Sequence, residues 1–130
     1  MVRRIVQPEG ARMGFKVAVS ERPEGMLVQP VGRLVAGTAG LLHERVLAIL
    51  SRSPRTVILA MDQVLELDAA GTSALVAINR RAGLMGTDLR FAEPRNEIAL
   101  QIENEGLDRV FSMYPTIDAA LKTEQVRKAG

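Results

Sequence analysis

Hydrophobic and polar positions alternate early in the chain. In FKVAVS, residues 15–20, Phe15, Val17 and Val19 share one side and Lys16, Ala18 and Ser20 the other. That period of two predicts a half-buried strand. The turn ERPEG and the segment MLVQPVG, residues 26–32, complete a predicted hairpin. Pro30 has no amide hydrogen to give to a ladder, so an edge or a bulge is its expected place. The period then lengthens. Thr38 predicts an N-cap, and Leu42, Val46, Ile49 and Leu50 follow at helical spacing. Pro54 disfavours helical geometry at Ser53 and closes this helix.

The run TVILAM, residues 56–61, is apolar throughout. It suits a central strand covered on both faces. DQVLELDAAG follows as a loop or a second short strand segment. Gly71 or Thr72 opens a second helix, on which Leu75, Ile78 and Ala82 form the apolar stripe and after which Gly86 is the expected C′ residue. DLRFA alternates again, with Leu89 and Phe91 inward. Pro94 fits the first turn of a third helix; Ile98 and Ile102 lie one turn apart on it, and Gly106 stops it. LDRVFSMYP reads as a connector anchored by Val110 and Phe111. Thr116 caps a final helix with Ile117, Ala120 and Leu121 facing inward. Strands alternating with helices predict an α/β fold with a mostly parallel sheet, made mixed by the front hairpin. The expectation is four to five strands and about four helices. It divides the chain into an extension at residues 1–13, with a candidate edge strand at residues 3–6, a domain at residues 14–122 and a tail at residues 123–130.

Composition narrows the chemistry. A chain of 130 residues is the length of one domain. Aromatic residues make up only 3% against 47% hydrophobic, so the core must be aliphatic, with Met61 and Met85 as fillers. Cysteine is absent, which removes disulfides, thiol catalysis and cysteine-ligated metals. That fits the expected cytoplasmic location. The single His43 removes histidine clusters and reads as a boundary residue of the first helix. The net charge of +2, from 17 basic and 15 acidic residues, is too balanced to imply nucleic acid. Arg3, Arg4, Arg12 and Lys16 gather near the start and read as a solvated end able to touch an acidic partner. The longest apolar candidate, LVAGTAGLL, is glycine-broken and falls short of the roughly 18–20 residues that span a bilayer. Nothing apolar follows Arg3 and Arg4, so no secretory signal is expected.

The segment LELDAAGTSALVAI, residues 65–78, places an acid and small residues where a parallel sheet gathers its ligands and partners. The following helix points its free amides into this elbow, and Asp68 is placed to accept from them as a cap. Its functional reading is a charged lip of an interaction site. A helix start also suits phosphate, but GTSA lacks the glycine-rich span and lysine of a phosphate-binding loop. Asp62, Glu66 and Asp68 form an acidic string; with no histidine nearby and no second carboxylate motif, it reads as a solvated loop rather than an acid–base or magnesium site. Arg80 and Arg81 read as a solvated face of the second helix that could also meet an acidic partner. No catalytic residue set, metal site or cofactor is expected.

An ordered set of motifs makes the reading more specific. GRL stands at 32–34, TVILAM at 56–61, DAAG at 68–71, GTDLRF at 86–91, EGLDRVF at 105–111 and TIDAAL at 116–121. In this order and spacing the chain resembles the STAS domain family of bacterial anti-sigma-factor antagonists, over roughly residues 14–122. The resemblance implies a single-domain module that binds an anti-sigma factor, often itself a serine kinase, and so frees a sigma factor. It implies a contact surface at Gly32, Arg33 and Leu34 together with Asp68, Ala69, Ala70, Gly71, Thr72 and Ser73, supported from the core by Leu75 and Ile78. In the family the residue before the elbow glycine carries a hydroxyl that is phosphorylated. Here that position is Ala70, with Ala69 beside it, and the acid that often ends the central strand is replaced by Ala60. Thr72 and Ser73 are the nearest hydroxyls and read as ordinary first-turn polar residues. The expectation is a binder not switched by phosphate at this elbow. The same resemblance admits an accessory subunit of a lipid-transport ATPase or a unit of a stress-signalling scaffold. A small flavodoxin-like enzyme would need a cofactor loop or a convergent acid–base set, and neither is present. The oligomeric state is left open.

Overall fold

The computed structural model describes residues 14–124. The expected extension at residues 1–13, its candidate strand at residues 3–6, and residues 125–130 of the tail lie outside the described residues. The front of the domain is the anticipated hairpin: β1 (Lys16–Arg22) runs antiparallel to β2 (Gly25–Leu34). All other pairings among the described residues are parallel. β3 (Thr56–Ala60) lies beside the first part of β2, and β5 (Asp88–Ala92) lies beside β3.

The sheet is wider than the sequence predicts. It has six strands in the order β1-β2-β3-β5-β6, with β4 (Val64–Leu67) paired to β2 off this path and β6 (Ser112–Tyr114) closing the far side. β4 falls in the segment read as a loop or a second short strand, and β6 in the one read as a connector. Both are too short for a period to show. β4 buries Val64 and Leu67 and exposes the two residues between, so it does not alternate.

β2 serves two partners along the same side. Met26 to Val28 pair with β3, and Gly32 to Leu34 pair with β4, with a register shift between Gly32 and Arg33. Pro30 falls in the gap between them. Its missing amide hydrogen therefore breaks no ladder bond on that side, which explains why a buried proline is tolerated in an interior strand rather than at an edge.

Four helices pack on this sheet: α1 (Ala39–Leu50), α2 (Ala69–Leu84), α3 (Asn96–Asn104) and α4 (Ile117–Lys122). The predicted stripes are the buried ones: Leu42, Val46, Ile49 and Leu50 on α1, Leu75, Ile78 and Ala82 on α2, and Ile98 and Ile102 on α3. They share one core with Val57, Leu59, Leu89 and Phe91 of the central strands. α4 covers the opposite face, where Ala120 meets Ile58 and Ala92. The connector after α3 contains a one-turn 3-10 segment, Leu107–Arg109, and sets Phe111 stacked on Phe91 with ring centroids 4.3 Å apart.

Several local expectations change. α2 begins at Ala69, ahead of Gly71 and Thr72. Pro94 lies outside α3, whose N-cap is Arg95. Met85 and Val110 are exposed rather than buried, because Met85 follows the last turn of α2 and Val110 is turned out while its neighbour Phe111 takes the core position. Ser53, before Pro54, leaves helical geometry with φ of 56°.

Candidate functional site

The elbow is built on the carboxyl end of β2 and the first turn of α2. Asp68 is the N-cap residue of α2, and one of its carboxylate oxygens accepts from the Gly71 amide at 2.8 Å. The cap is therefore real, as the sequence implies. The other oxygen does something the sequence does not show: it accepts from the Ala36 amide at 3.0 Å. One carboxylate thus ties the β2–α1 loop to the start of α2. The backbone adds a third tie, with the Asp68 amide donating to the Leu34 carbonyl at 3.3 Å.

Gly71 is required by the closeness of this packing. A β-carbon there would sit 2.1 Å from the Leu34 carbonyl oxygen and 2.8 Å from the Leu67 side chain. Gly32, at the register shift of β2, has φ of 124°, and a β-carbon would meet the Gly14 carbonyl oxygen at 3.0 Å. Both glycines belong to the expected contact set, but their task is to let backbone segments approach.

Thr38 is the residue before α1, yet its hydroxyl caps nothing in that helix. It donates to the Arg33 carbonyl at 2.6 Å and accepts from the Val35 amide at 3.0 Å. Only 1% exposed, it pins the loop that follows β2 from below. A Thr before an apolar stripe is an N-cap signal, and here the same residue type instead satisfies a turn's backbone groups.

The expected contact residues separate into three groups by exposure. Arg33, Ala69 and Ser73 are exposed; Gly32, Asp68, Ala70 and Thr72 are half-buried; Leu34 and Gly71 are buried. Arg33 pairs with Glu66 across β2 and β4 at 3.0 Å, both side chains more than half exposed. The corner therefore presents the exposed Ala69 and half-buried Ala70 directly after the capping Asp68. The Thr72 hydroxyl oxygen is enclosed and has no hydrogen-bond partner among the described residues. Leu75 and Ile78 are fully buried beneath the site.

The acidic string does not converge. Asp62 accepts from Gln29 and Gln63, Glu66 meets Arg33, and Asp68 caps α2. Among the described residues no cluster of histidine, aspartate and glutamate is placed to hold a metal. His43 instead lines an open groove on α2 together with Thr72, Ser73, Val76, Ala77, Arg80, Arg81, Leu84, Glu105 and Leu107, about 610 Å³ in volume.

The model of the STAS domain family matches residues 16–120. The crystal structure of an anti-sigma factor antagonist from Mycobacterium paratuberculosis superposes with a TM-score of 0.77 at 24% identity, covering 90% of this chain and 96% of that one. The anti-sigma factor antagonist SpoIIAA in its unphosphorylated form gives 0.67 at 14% identity, over 83% and 93% of the two chains. A sulfate transporter family protein from Wolinella succinogenes gives 0.66 at 23% identity, over 73% and 80%. No curated protein matches the chain in sequence. At these identities the structural likeness establishes the fold. No helix among the described residues is long and apolar enough to cross a membrane.

Proposed function

We propose that this chain, which belongs to the STAS domain family, is a protein-binding module that acts as an anti-sigma-factor antagonist and carries out no catalysis. It binds an anti-sigma factor or a related serine kinase at the elbow and so releases a sigma factor. The observation that carries the reading is the pair of hydrogen bonds at Asp68. Its carboxylate holds the amides of Ala36 and Gly71 together, so loop and helix start form one pre-set corner. A corner that is already ordered loses little conformational entropy on binding. The side chains at its rim, Ala69 and Ala70, are small and uncharged, so a partner's surface meets no ion to desolvate at these two positions.

The elbow also lacks the means to be switched in the family's usual way. Ala70 has no oxygen to accept a phosphoryl group. Of the nearest hydroxyls, Thr72 is enclosed and Ser73 is exposed. The module therefore binds its partner whether or not that partner is an active kinase.

Isothermal titration with the anti-sigma factor of the same organism tests the reading. Ala69→Arg, at an exposed position, weakens binding by at least about tenfold by placing an unpaired charge in the contact. Incubation with the partner kinase and ATP leaves the intact mass unchanged. An unaltered affinity in the Arg variant, or a phosphopeptide from residues 65–78, overturns it.

A further inference from the structure

The outer side of α2 carries features that the elbow does not use. Ala77, Arg80 and Leu84 fall on one exposed line, with Arg81 beside it. Leu84 is 76% exposed, the most exposed large hydrophobic residue among those described. Neither guanidinium is in an ion pair among the described residues. The line borders the groove that His43, Glu105 and Leu107 also line, so its two arginines outnumber its one acid. An exposed leucine flanked by two arginines that have no acidic partner among the described residues marks a contact with something both apolar and acidic.

The same helical layer carries the complementary stripe. On α3, Glu97, Leu100 and Glu103 are exposed and share the face opposite the buried Ile98 and Ile102. Leu100 is 55% exposed. Neither glutamate pairs with a cation among the described residues. α2 thus offers arginine and leucine, and α3, on the same face of the sheet, offers glutamate and leucine at a spacing of about one turn.

We infer that the occupant of this groove is a second copy of the chain. The α3 stripe of each copy lies on the α2 stripe of the other, about a two-fold axis. About that axis each copy gives both stripes, so the contact is made twice and assembly closes at a dimer. Leu84 and Leu100 cover each other, and Arg80 and Arg81 face Glu97 and Glu103 of the other copy. Exposed ion pairs are screened by salt, so the dimer weakens as ionic strength rises.

Sedimentation equilibrium of the full chain, without any partner protein, tests this separately from the anti-sigma reading. The wild-type chain gives a dimer mass at low salt that falls toward the monomer as salt is added. Arg80→Glu/Arg81→Glu opposes acid to acid in both contacts, and Glu97→Arg/Glu103→Arg opposes base to base. Each double variant raises the dissociation constant by at least about tenfold. All four positions are exposed, and matching thermal melts verify that the fold survives. In an equimolar mixture of the two variants both contacts again join opposite charges, because the two acidic helices of one variant meet the two basic helices of the other, so a mixed dimer forms that neither variant forms alone. A wild-type chain that stays monomeric throughout overturns the inference, as does a dimer that persists in both variants or a mixture that stays monomeric.

Discussion

The two faces of the sheet are closed by different physics. Beneath α1, α2 and α3 lies a broad aliphatic core in which Leu42, Leu50, Leu59, Leu75, Ile78 and Ile98 are all essentially buried. Beneath α4 lies a small cluster, Ile58, Ala92 and Ala120. What secures α4 is a charged side chain. Arg90 of β5 is 2% exposed, donates to the carbonyls of Ala120 and Thr123, and pairs with Asp88 at 2.7 Å. Its guanidinium also lies 5.4 Å from the centre of the Tyr114 ring. Apolar burial spreads its contribution over many residues, so no single truncation empties it. A buried arginine concentrates the same task in one place. The face that carries the elbow is accordingly the robust one, and the face that carries α4 rests on a few contacts, Arg90 together with the Ile117 amide donating to Glu93 at 2.8 Å and the packing of Ile117 and Leu121.

The sharpest way to break the robust face is through backbone contact rather than side-chain volume. Gly71→Val sets a branched side chain where even a β-carbon would lie 2.1 Å from the Leu34 carbonyl oxygen. Both groups belong to regular elements and neither has room to retreat. The expected loss is roughly 4 kcal/mol of stability, read from the urea midpoint or as loss of soluble protein. A loss below about 1 kcal/mol would mean that α2 slides outward freely, and the packing argument fails. For the same reason a substitution at Gly71 is a poor probe of partner binding, because it tests the fold first.

Next in size is the latch on the other face. Arg90→Met keeps the length of the stem and removes the charge. It strands the Asp88 carboxylate and the carbonyls of Ala120 and Thr123. The expected cost is about 3 kcal/mol. Its distribution matters more than its size. Hydrogen exchange should show the amides of α4 opening well before those of α1 and α2, since only α4 loses hydrogen bonds to Arg90 and keeps little beyond the Glu93 bond and a small apolar cluster. Uniform loss of protection across all four helices would erase the contrast between the faces.

Those two residues also show where reading a sequence stops. The helical stripes of α1, α2 and α3 and the buried run of β3 were legible, because burial imposes a period that local inspection detects. Arg90 was not. In DLRFA the alternation points Leu89 and Phe91 to the core, which correctly assigns one face and leaves Arg90 for the other. Nothing local reveals that the other face is also covered. The elbow divides in the same way. Capping of Gly71 by Asp68 spans three positions and could be anticipated. The bond to Ala36 spans 32 positions and exists only because β2 and β4 lie side by side. Thr38 misled for the reverse reason: its local pattern is that of a cap, but the nearest unsatisfied groups belong to the preceding turn.

Asp68 measures how much of the elbow depends on that distant bond. Asp68→Ala removes both acceptors and costs about 1.5 kcal/mol, within the range for losing a helix cap. Asp68→Asn keeps one carbonyl oxygen, enough for Gly71 or Ala36 but not both in the same geometry. It should recover about half of the loss in the urea midpoint. Full recovery would show that the second bond contributes nothing, and that the loop and the helix start are held by backbone contacts alone.

The smallest expected change in stability carries the largest expected change in behaviour. Ala70→Ser adds one oxygen to the first turn of α2, half-buried and close to free helix amides. A single hydroxyl there alters stability by no more than about 0.5 kcal/mol. It does restore an acceptor at the position that the elbow otherwise lacks. If the corner is the partner-binding surface, a kinase partner should now modify the introduced hydroxyl of the Ala70→Ser variant while leaving the parent chain untouched. Phosphate brings about −1.5 to −2 charge to the pre-set corner, and the contact must then desolvate it. Affinity for the unphosphorylated variant should match that of the parent, and affinity for the phosphorylated form should fall by at least about tenfold. An equal affinity for both forms would place the partner elsewhere on the module, because a charge of that size cannot be buried in a contact without being felt.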